Sequence, residues 1–217
     1  MNLLPCKGIL FDCDGVLVDS DASVMSAWAC WAVELGLDPD DVLPIVHGRR
    51  SEDTIAQLLP EAQRRHGVDL IDRLELDDAA TVRAISGARE LAASMTPGTW
   101  AVVTSGTYAL ATARLQSAGF DVPTVLITAD DVSNGKPDPE GYLAAAQRLG
   151  LDPADTIVLE DAQAGIDAAR AAGVRAVVGV GRPDLDADAL VGDLSEVRWT
   201  AAGLEVGLAP DHRQQRR

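Results

Sequence analysis

Two aspartates stand two positions apart in Phe11-Asp12-Cys13-Asp14-Gly15-Val16. In a continuing strand, residues two apart point to one face, so both carboxylates would share a site. Like charges that close repel, and a cation is implied. An isolated pattern of this kind reads best as a turn, where aspartate is a usual resident. Three further groups shift the weighting. Thr104-Ser105-Gly106-Thr107 offers hydroxyls and successive backbone N–H groups ahead of a helix, a cradle for an anion. Gly135-Lys136-Pro137-Asp138-Pro139 presents an ammonium at the start of another helix, a point charge suited to a phosphoryl oxygen. Glu160-Asp161 closes an apolar run with two acids, which are costly to bury unless paired or bound to metal. Magnesium favours such hard oxygen ligands.

Lys136 carries extra weight because lysine is scarce. Of 18 basic residues only Lys7 and Lys136 are lysine, and Lys7 reads as a surface residue.

These groups need a scaffold that brings them together. Gly8–Phe11, Trp100–Val103, Thr124–Thr128, Thr156–Leu159 and Ala176–Val180 are short apolar runs without polar alternation, as in buried parallel strands. Helix candidates alternate with them at Ala88–Ser94, Tyr108–Ala118, Pro139–Leu149 and Gln163–Ala172. Gly119, Gly150 and Gly173 follow three of these, where helices stop. The series predicts an α/β fold, a doubly wound parallel sheet with a Rossmann-like core. Each chemical group then follows a strand, at the edge where such sheets bind ligands.

The rhythm breaks between residues 19 and 86. Ser20 or Asp21 caps a helix running to Leu35, and Asp40–Val46, Ser51–Leu59 and Ile71–Ala84 read as helical, with no strand among them. The expected organisation is a core of residues 1–18 and 87–209, an inserted α-helical cap at 19–86, and a frayed tail at 210–217.

Charge and composition exclude other classes. The 217 residues carry a net charge of −16, which repels nucleic acid and anionic membrane. Aromatics are 4%, too few for a base-stacking platform. No apolar run is long enough to span a bilayer and the start lacks signal-peptide features, so a cytoplasmic location is expected. Three cysteines (Cys6, Cys13, Cys30) fit reduced thiols. With no heptads or obvious apolar patch, a monomer is expected.

The order DxDG, Thr-Ser-Gly, Gly-Lys-Pro-Asp-Pro and Leu-Glu-Asp-Ala-x-x-Gly-Ile resembles the haloacid dehalogenase superfamily of phosphohydrolases over essentially the whole chain. The helical insert is similar to the small cap of the branch that includes beta-phosphoglucomutase, phosphoglycolate phosphatase, 2-deoxyglucose-6-phosphatase and glycerol-3-phosphatase. The stretches His47–Ile55 and Trp100–Thr107 most resemble the last two. The resemblance implies Asp12 as nucleophile, forming an aspartyl-phosphate, and Asp14 as general acid and base. It implies Mg²⁺ held by Asp12, the Asp14 carbonyl and Asp161, with Glu160 adjacent. Thr104, Ser105 and Gly106 would bind phosphoryl oxygens, and Lys136 would pair with nucleophile and phosphate. True dehalogenases lack the second acid, so Asp14 favours phosphoryl chemistry. The implied substrate is a small phosphorylated metabolite, a sugar or polyol phosphate.

In the cap, Arg50 is the substrate candidate by resemblance. For Arg49 and His47, a contact with substrate and a solvated or packing role stand level. Trp28, Trp31, Trp100 and Trp199 read as packing residues. The family's Pro-Gly-Ala turn is replaced by Ile85-Ser86-Gly87-Ala88. A sugar-phosphate mutase is the alternative reading. Ser51 stands where such mutases usually have arginine, and the cap has no lysine; both lean against it.

Overall fold

The apolar runs become strands and the alanine-rich stretches between them helices, in a computed structural model that describes residues 2–207. The tail expected at 210–217 lies outside the described residues. In chain order come β1 (Asn2–Leu4), β2 (Gly8–Phe11) and β3 (Val18–Asp19). Four helices follow: α1 (Asp21–Glu34), α2 (Pro39–Val42), α3 (Ser51–Leu58) and α4 (Glu61–Asp78). The chain returns through β4 (Arg83–Ala84), α5 (Ala88–Ser94), β5 (Trp100–Val103), α6 (Tyr108–Ser117), β6 (Leu126–Ile127) and α7 (Glu140–Leu149). It continues through β7 (Thr156–Glu160), α8 (Gln163–Ala171), β8 (Ala176–Val180) and β9 (Ala189–Val191), ending in β10 (Val197–Thr200) and β11 (Gly203–Val206).

Six of these strands form one parallel sheet in the order β6-β5-β2-β7-β8-β9. From β2 the chain winds outward to β5 and β6, then crosses back to β7 and on to β8 and β9. The reversal opens a crevice at the carboxyl ends of β5, β2 and β7, the place where doubly wound sheets bind ligands. Alternate side chains of β2 serve the two faces. Ile9 and Phe11 enter one core with Leu91, Leu115 and Val102, whereas Leu10 enters the other with Val158, Tyr142 and Ile166. Every residue of β2 and β7 is buried.

The helices between Asp21 and Asp78 have a third core of their own, centred on Trp28, Trp31, Ile55, Leu70 and Ile71. Trp31 donates its indole N–H to the Gly67 carbonyl at 2.8 Å, and a side chain at Gly67 would strike Leu59. That close approach explains a glycine inside the long helix α4.

The helical insert differs from the sequence expectation in three places. The helix expected at Ile71–Ala84 is α4, which begins at Glu61 and ends at Asp78. Its first turns, Glu61 to His66, are all exposed and give no apolar stripe to read. Arg83 and Ala84 are then a strand, paired antiparallel with Asp19 and Val18, so the insert is joined to the core by a two-stranded ribbon. The helix expected at Asp40–Val46 is α2 followed by a 3₁₀ turn at Leu43–Ile45, where Pro44 removes a backbone donor. The strand expected at Thr124–Thr128 shrinks to Leu126–Ile127. Beyond the sequence reading, β1, β11 and β10 form an antiparallel sheet whose strands are three or four residues long. No helix among the described residues is long and apolar enough to cross a membrane.

Candidate active site

Asp12 is the first residue past β2, and its N–H donates to the Leu159 carbonyl at 2.9 Å, which fixes it beside β7. Its carboxylate Oδ1 accepts from Lys136 Nζ at 2.5 Å. The same ammonium donates to Glu160 Oε1 at 2.5 Å and to the Val103 carbonyl at 3.3 Å. One lysine therefore ties the loop after β6 to the ends of β2, β5 and β7. Asp12, Glu160 and Lys136 are each less than 9% exposed.

Glu160 is fully engaged. Its Oε1 also accepts from Tyr142 Oη at 2.9 Å, and its Oε2 accepts from the Ala162 N–H at 3.0 Å. A Cβ at Gly165 would overlap this carboxylate, so the first turn of α8 is open enough to admit it only because that residue is glycine. Gly15 makes equivalent room for Asp161, at a φ of +76°.

Oxygens of Asp12, Glu160 and Asp161 lie within 4.8 Å of one another. Burial pushes the Asp12 carboxyl well above its ordinary range; Lys136 opposes this, while Glu160, Asp161 and Asp14 add to it. Burial, then Glu160, raises Asp161 to about 7. Burial alone would lower the Lys136 ammonium, but Asp12 and Glu160 outweigh it and hold it charged. Three carboxylates against one ammonium leave a formal charge of −2. A divalent cation with hard oxygen ligands fits that deficit. Glu160 belongs to this acidic group and also holds Lys136 and Tyr142 through Oε1, while its Oε2 accepts one bond, from Ala162 N–H.

Asp14 faces a different cation. Its Oδ1 accepts from Arg114 Nη1 at 3.0 Å and from Ser20 Oγ at 2.6 Å. Ser20, expected as a helix cap, makes no capping bond with its side chain. Arg114 is 2% exposed and also donates from Nη2 to Glu75 Oε1, on α4, at 3.1 Å.

The loop Thr104–Thr107 follows β5. Thr104 is buried, and its Oγ1 accepts from the Gly106 N–H at 3.0 Å. That leaves the hydroxyl proton for an anion and makes Gly106 a brace for Thr104 in this state. Ser105 Oγ donates to the Gly48 carbonyl, across to the insert.

These groups surround a cavity of about 70 Å³ lined by Asp12, Asp14, Asp161, Thr104, Ser105 and Gly106 from the core side. Trp28, Val46, His47, Arg49 and Glu75 line it from the insert. Burial lowers the His47 imidazole, Arg182 adds to this and Asp21 opposes it, so the ring is neutral at pH 7. A larger cleft of about 470 Å³ continues outward past Ser51, Glu75 and Ser105.

Arg50 does not line the small cavity but stands at the edge of the outer cleft. Its Nε and Nη2 grip the Asp53 carboxylate at 2.8 and 2.9 Å, and its Nη1 donates to the Val132 carbonyl at 3.1 Å. The guanidinium straps α3 to the loop before Lys136, and Arg49 is the arginine that lines the small cavity. Arg114, Glu75 and Tyr142 were absent from the sequence reading, and Ser20 figured in it only as a helix cap. For Arg114 a signal existed: it lies on the helix face shared by Leu110, Ala111 and Leu115, where periodicity calls for an apolar residue.

Comparison with known proteins agrees with this geometry. Residues 6–173 match the model of the haloacid dehalogenase-like hydrolases. The chain is 39% identical over 183 residues to hexitol phosphatase A of Escherichia coli, covering 82% of this chain and 84% of that protein. It is 38% identical over 210 residues to validoxylamine A 7'-phosphate phosphatase of Streptomyces hygroscopicus, covering 91% and 98%. Among solved structures, a hydrolase from Pseudomonas syringae superposes with a TM-score of 0.79 at 25% identity, over 88% of this chain and 95% of that one. Beta-phosphoglucomutase from Clostridium difficile shares the fold, with a TM-score of 0.78 at 22% identity, over 89% and 94%. A carboxylate–lysine–carboxylate cluster at the switch point of a parallel sheet, inside a match that spans most of its length, places the chain in the family of haloacid dehalogenase-like hydrolases.

Proposed function

We propose that the protein is a phosphatase that hydrolyses small sugar or polyol phosphate monoesters through a phosphorylated Asp12. The observation that carries this reading is the Asp12 carboxylate held at the cavity by Lys136, with Asp14 beside it on a separate cation. The curated relatives support it, since they include hexitol, 2-deoxyglucose-6-phosphate and glycerol-1-phosphate phosphatases.

An Asp12 oxygen attacks phosphorus, forming the aspartyl–phosphoryl bond as the bond to the leaving oxygen breaks. Asp14 donates a proton to the leaving alkoxide and later takes one from the water that hydrolyses the acyl phosphate. Lys136 and the Thr104–Ser105 loop hold the phosphoryl oxygens. Mg²⁺, held by Asp12, Asp161 and the Asp14 carbonyl, would neutralise the repulsion between nucleophile and phosphate and lower the Asp12 carboxyl towards its ionised form. The insert acts as a cap. Arg49 supplies positive charge at the cavity mouth, and the outer cleft has room for the rest of a hexose or hexitol.

The test is phosphate release with Mg²⁺ from sorbitol-6-phosphate, 2-deoxyglucose-6-phosphate, glycerol-1-phosphate and beta-glucose-1-phosphate. Release from one or more of the first three is expected, with none from Asp12→Asn. Undiminished turnover in that variant would overturn the covalent route. Conversion of beta-glucose-1-phosphate to glucose-6-phosphate without phosphate release would instead establish a mutase.

A further inference from the structure

Arg114 is hard to explain as a stabilising residue. It stands on the inward face of α6 between Leu110, Ala111 and Leu115, all buried. Its guanidinium is 2% exposed, and its Nε has no partner among the described residues. Burying a guanidinium carries a desolvation cost, and apolar residues often replace a buried ionic cluster without loss of stability. Its two partners come from different bodies. Asp14 is a core residue past β2, and Glu75 belongs to the helical insert, on the fourth turn of α4. Glu75 is itself 5% exposed and lines both the small cavity and the outer cleft.

We propose that Arg114 and Glu75 are a positioning pair for Asp14, through which the seating of the helical insert on the core sets the orientation of the acid. The proposal rests on the reading of Asp14 as the group that protonates the leaving alkoxide. Nη1 of Arg114 and Oγ of Ser20 both bind Asp14 Oδ1. That fixes one carboxyl oxygen and leaves Oδ2, which has no protein partner among the described residues, for the substrate. Glu75 anchors the other end of the guanidinium through Nη2. An insert displaced from the core withdraws that anchor, and Asp14 loses its orientation. Proton donation then depends on the insert being in place, while attack by Asp12, held by Lys136, does not.

The two steps separate by leaving group. An alkoxide needs the proton and p-nitrophenolate does not. Because Asp14 also serves as base in the later hydrolysis of the acyl phosphate, which is common to all esters, the comparison is of the first half-reaction. It sets the single-turnover rate of p-nitrophenol release from p-nitrophenyl phosphate against that of alcohol release from the three alkyl esters above, in wild type, Asp14→Asn, Arg114→Met, Arg114→Lys and Glu75→Gln. General acid catalysis contributes about 10²–10⁴-fold. Arg114→Met is expected to lower the saturating single-turnover rate for the alkyl ester by at least ~10-fold more than for the aryl ester, with the alkyl KM little changed. Glu75→Gln is expected to shift the ratio in the same direction by a smaller factor. Arg114→Lys, whose single ammonium cannot grip both acids as a fork does, should fall between wild type and methionine. In the Asp14→Asn background, Arg114→Met should produce no further change in the ratio.

An equal loss on both substrates in Arg114→Met, or an effect confined to KM, overturns the proposal. If Arg114→Met fails to fold by circular dichroism, Arg114→Lys and Glu75→Gln carry the test, and an unchanged ratio in both refutes it. The reading of Asp14 fails separately: Asp14→Asn would then show no leaving-group dependence at all.

Discussion

Lowering the pH from 8 to 6 should weaken Mg²⁺ binding by about 10-fold or more. The cause is Asp161, which burial and the neighbouring Glu160 raise from an ordinary 3.8 to about 7 in the absence of a cation. A cation competes with the proton for this carboxylate. With a pKa near 7, about nine-tenths of Asp161 is ionised at pH 8 and about one-tenth at pH 6, which gives the 10-fold change. Asp12, raised by burial as well, moves the affinity in the same direction. The linkage to stability has a definite sign. A carboxyl whose folded pKa lies above its unfolded value favours the folded state below 3.8, and that contribution is lost as pH rises through about 7. The metal-free protein should therefore melt at lower temperature at pH 8 than at pH 6, and Mg²⁺ should raise the melting temperature most at pH 8. Isothermal titration of chelator-treated protein at pH 6, 7 and 8, in buffers of different ionisation enthalpy, measures affinity and proton release together. A pH-independent Kd with no proton released would refute the reasoning, as would an unaltered Kd in Asp161→Asn.

Lys136→Met removes the cation shared by Asp12 and Glu160, and losing one partner of a buried pair costs about 3–5 kcal/mol. In urea unfolding of the metal-free variant the deficit should shrink as pH falls, because protonated Asp12 no longer needs the ammonium; a cost below about 1 kcal/mol at pH 8 would contradict the buried-pair account. Arg49→Ala should raise KM for an alkyl phosphate with kcat little changed; an unchanged KM would contradict its place at the small cavity. Arg50→Ala should lower stability by about 1 kcal/mol, since the Asp53 carboxylate it releases is partly exposed to water, and an unchanged melting temperature would contradict the strap between α3 and the Val132 loop.

Most of the floor of the candidate site was legible because its signals are local. Asp12, Thr104 and Glu160 each end or follow an apolar run, and an apolar run bounded by polar residues marks both a strand and its end. Lys136 stood out by rarity. What stayed hidden depends on distance in the chain. Arg114 meets Asp14 across 100 residues and Glu75 across 39, and nothing in the helix around it announces either partner. Tyr142 reads as one apolar residue of α7 until its hydroxyl is placed on Glu160. Arg49 and Arg50 are neighbours in the segment just before α3, and sequence alone does not decide which one turns into the small cavity. The first turns of α4 were missed because they are exposed throughout and carry no apolar stripe.

The division of cations explains how two aspartates two residues apart can carry different chemistry. Identical carboxyl groups separate in function when their surroundings differ. Lys136, Glu160 and Asp161 surround Asp12 in a cluster with a formal charge of −2, which favours a divalent cation beside an ionised Asp12. Arg114, Ser20 and Glu75 surround Asp14 in a second network that shares no side chain with the first. The first network is built wholly from the core. The second needs α4 of the insert. With the proposed roles, phosphoryl transfer from an activated ester to Asp12 needs only the core, and transfer from an unactivated one needs the insert seated as well. The ratio of alkyl to aryl phosphorylation rates therefore reports on the contact between insert and core, and any substitution that loosens α4 from α6 should lower that ratio before it lowers phosphoryl transfer from the aryl ester.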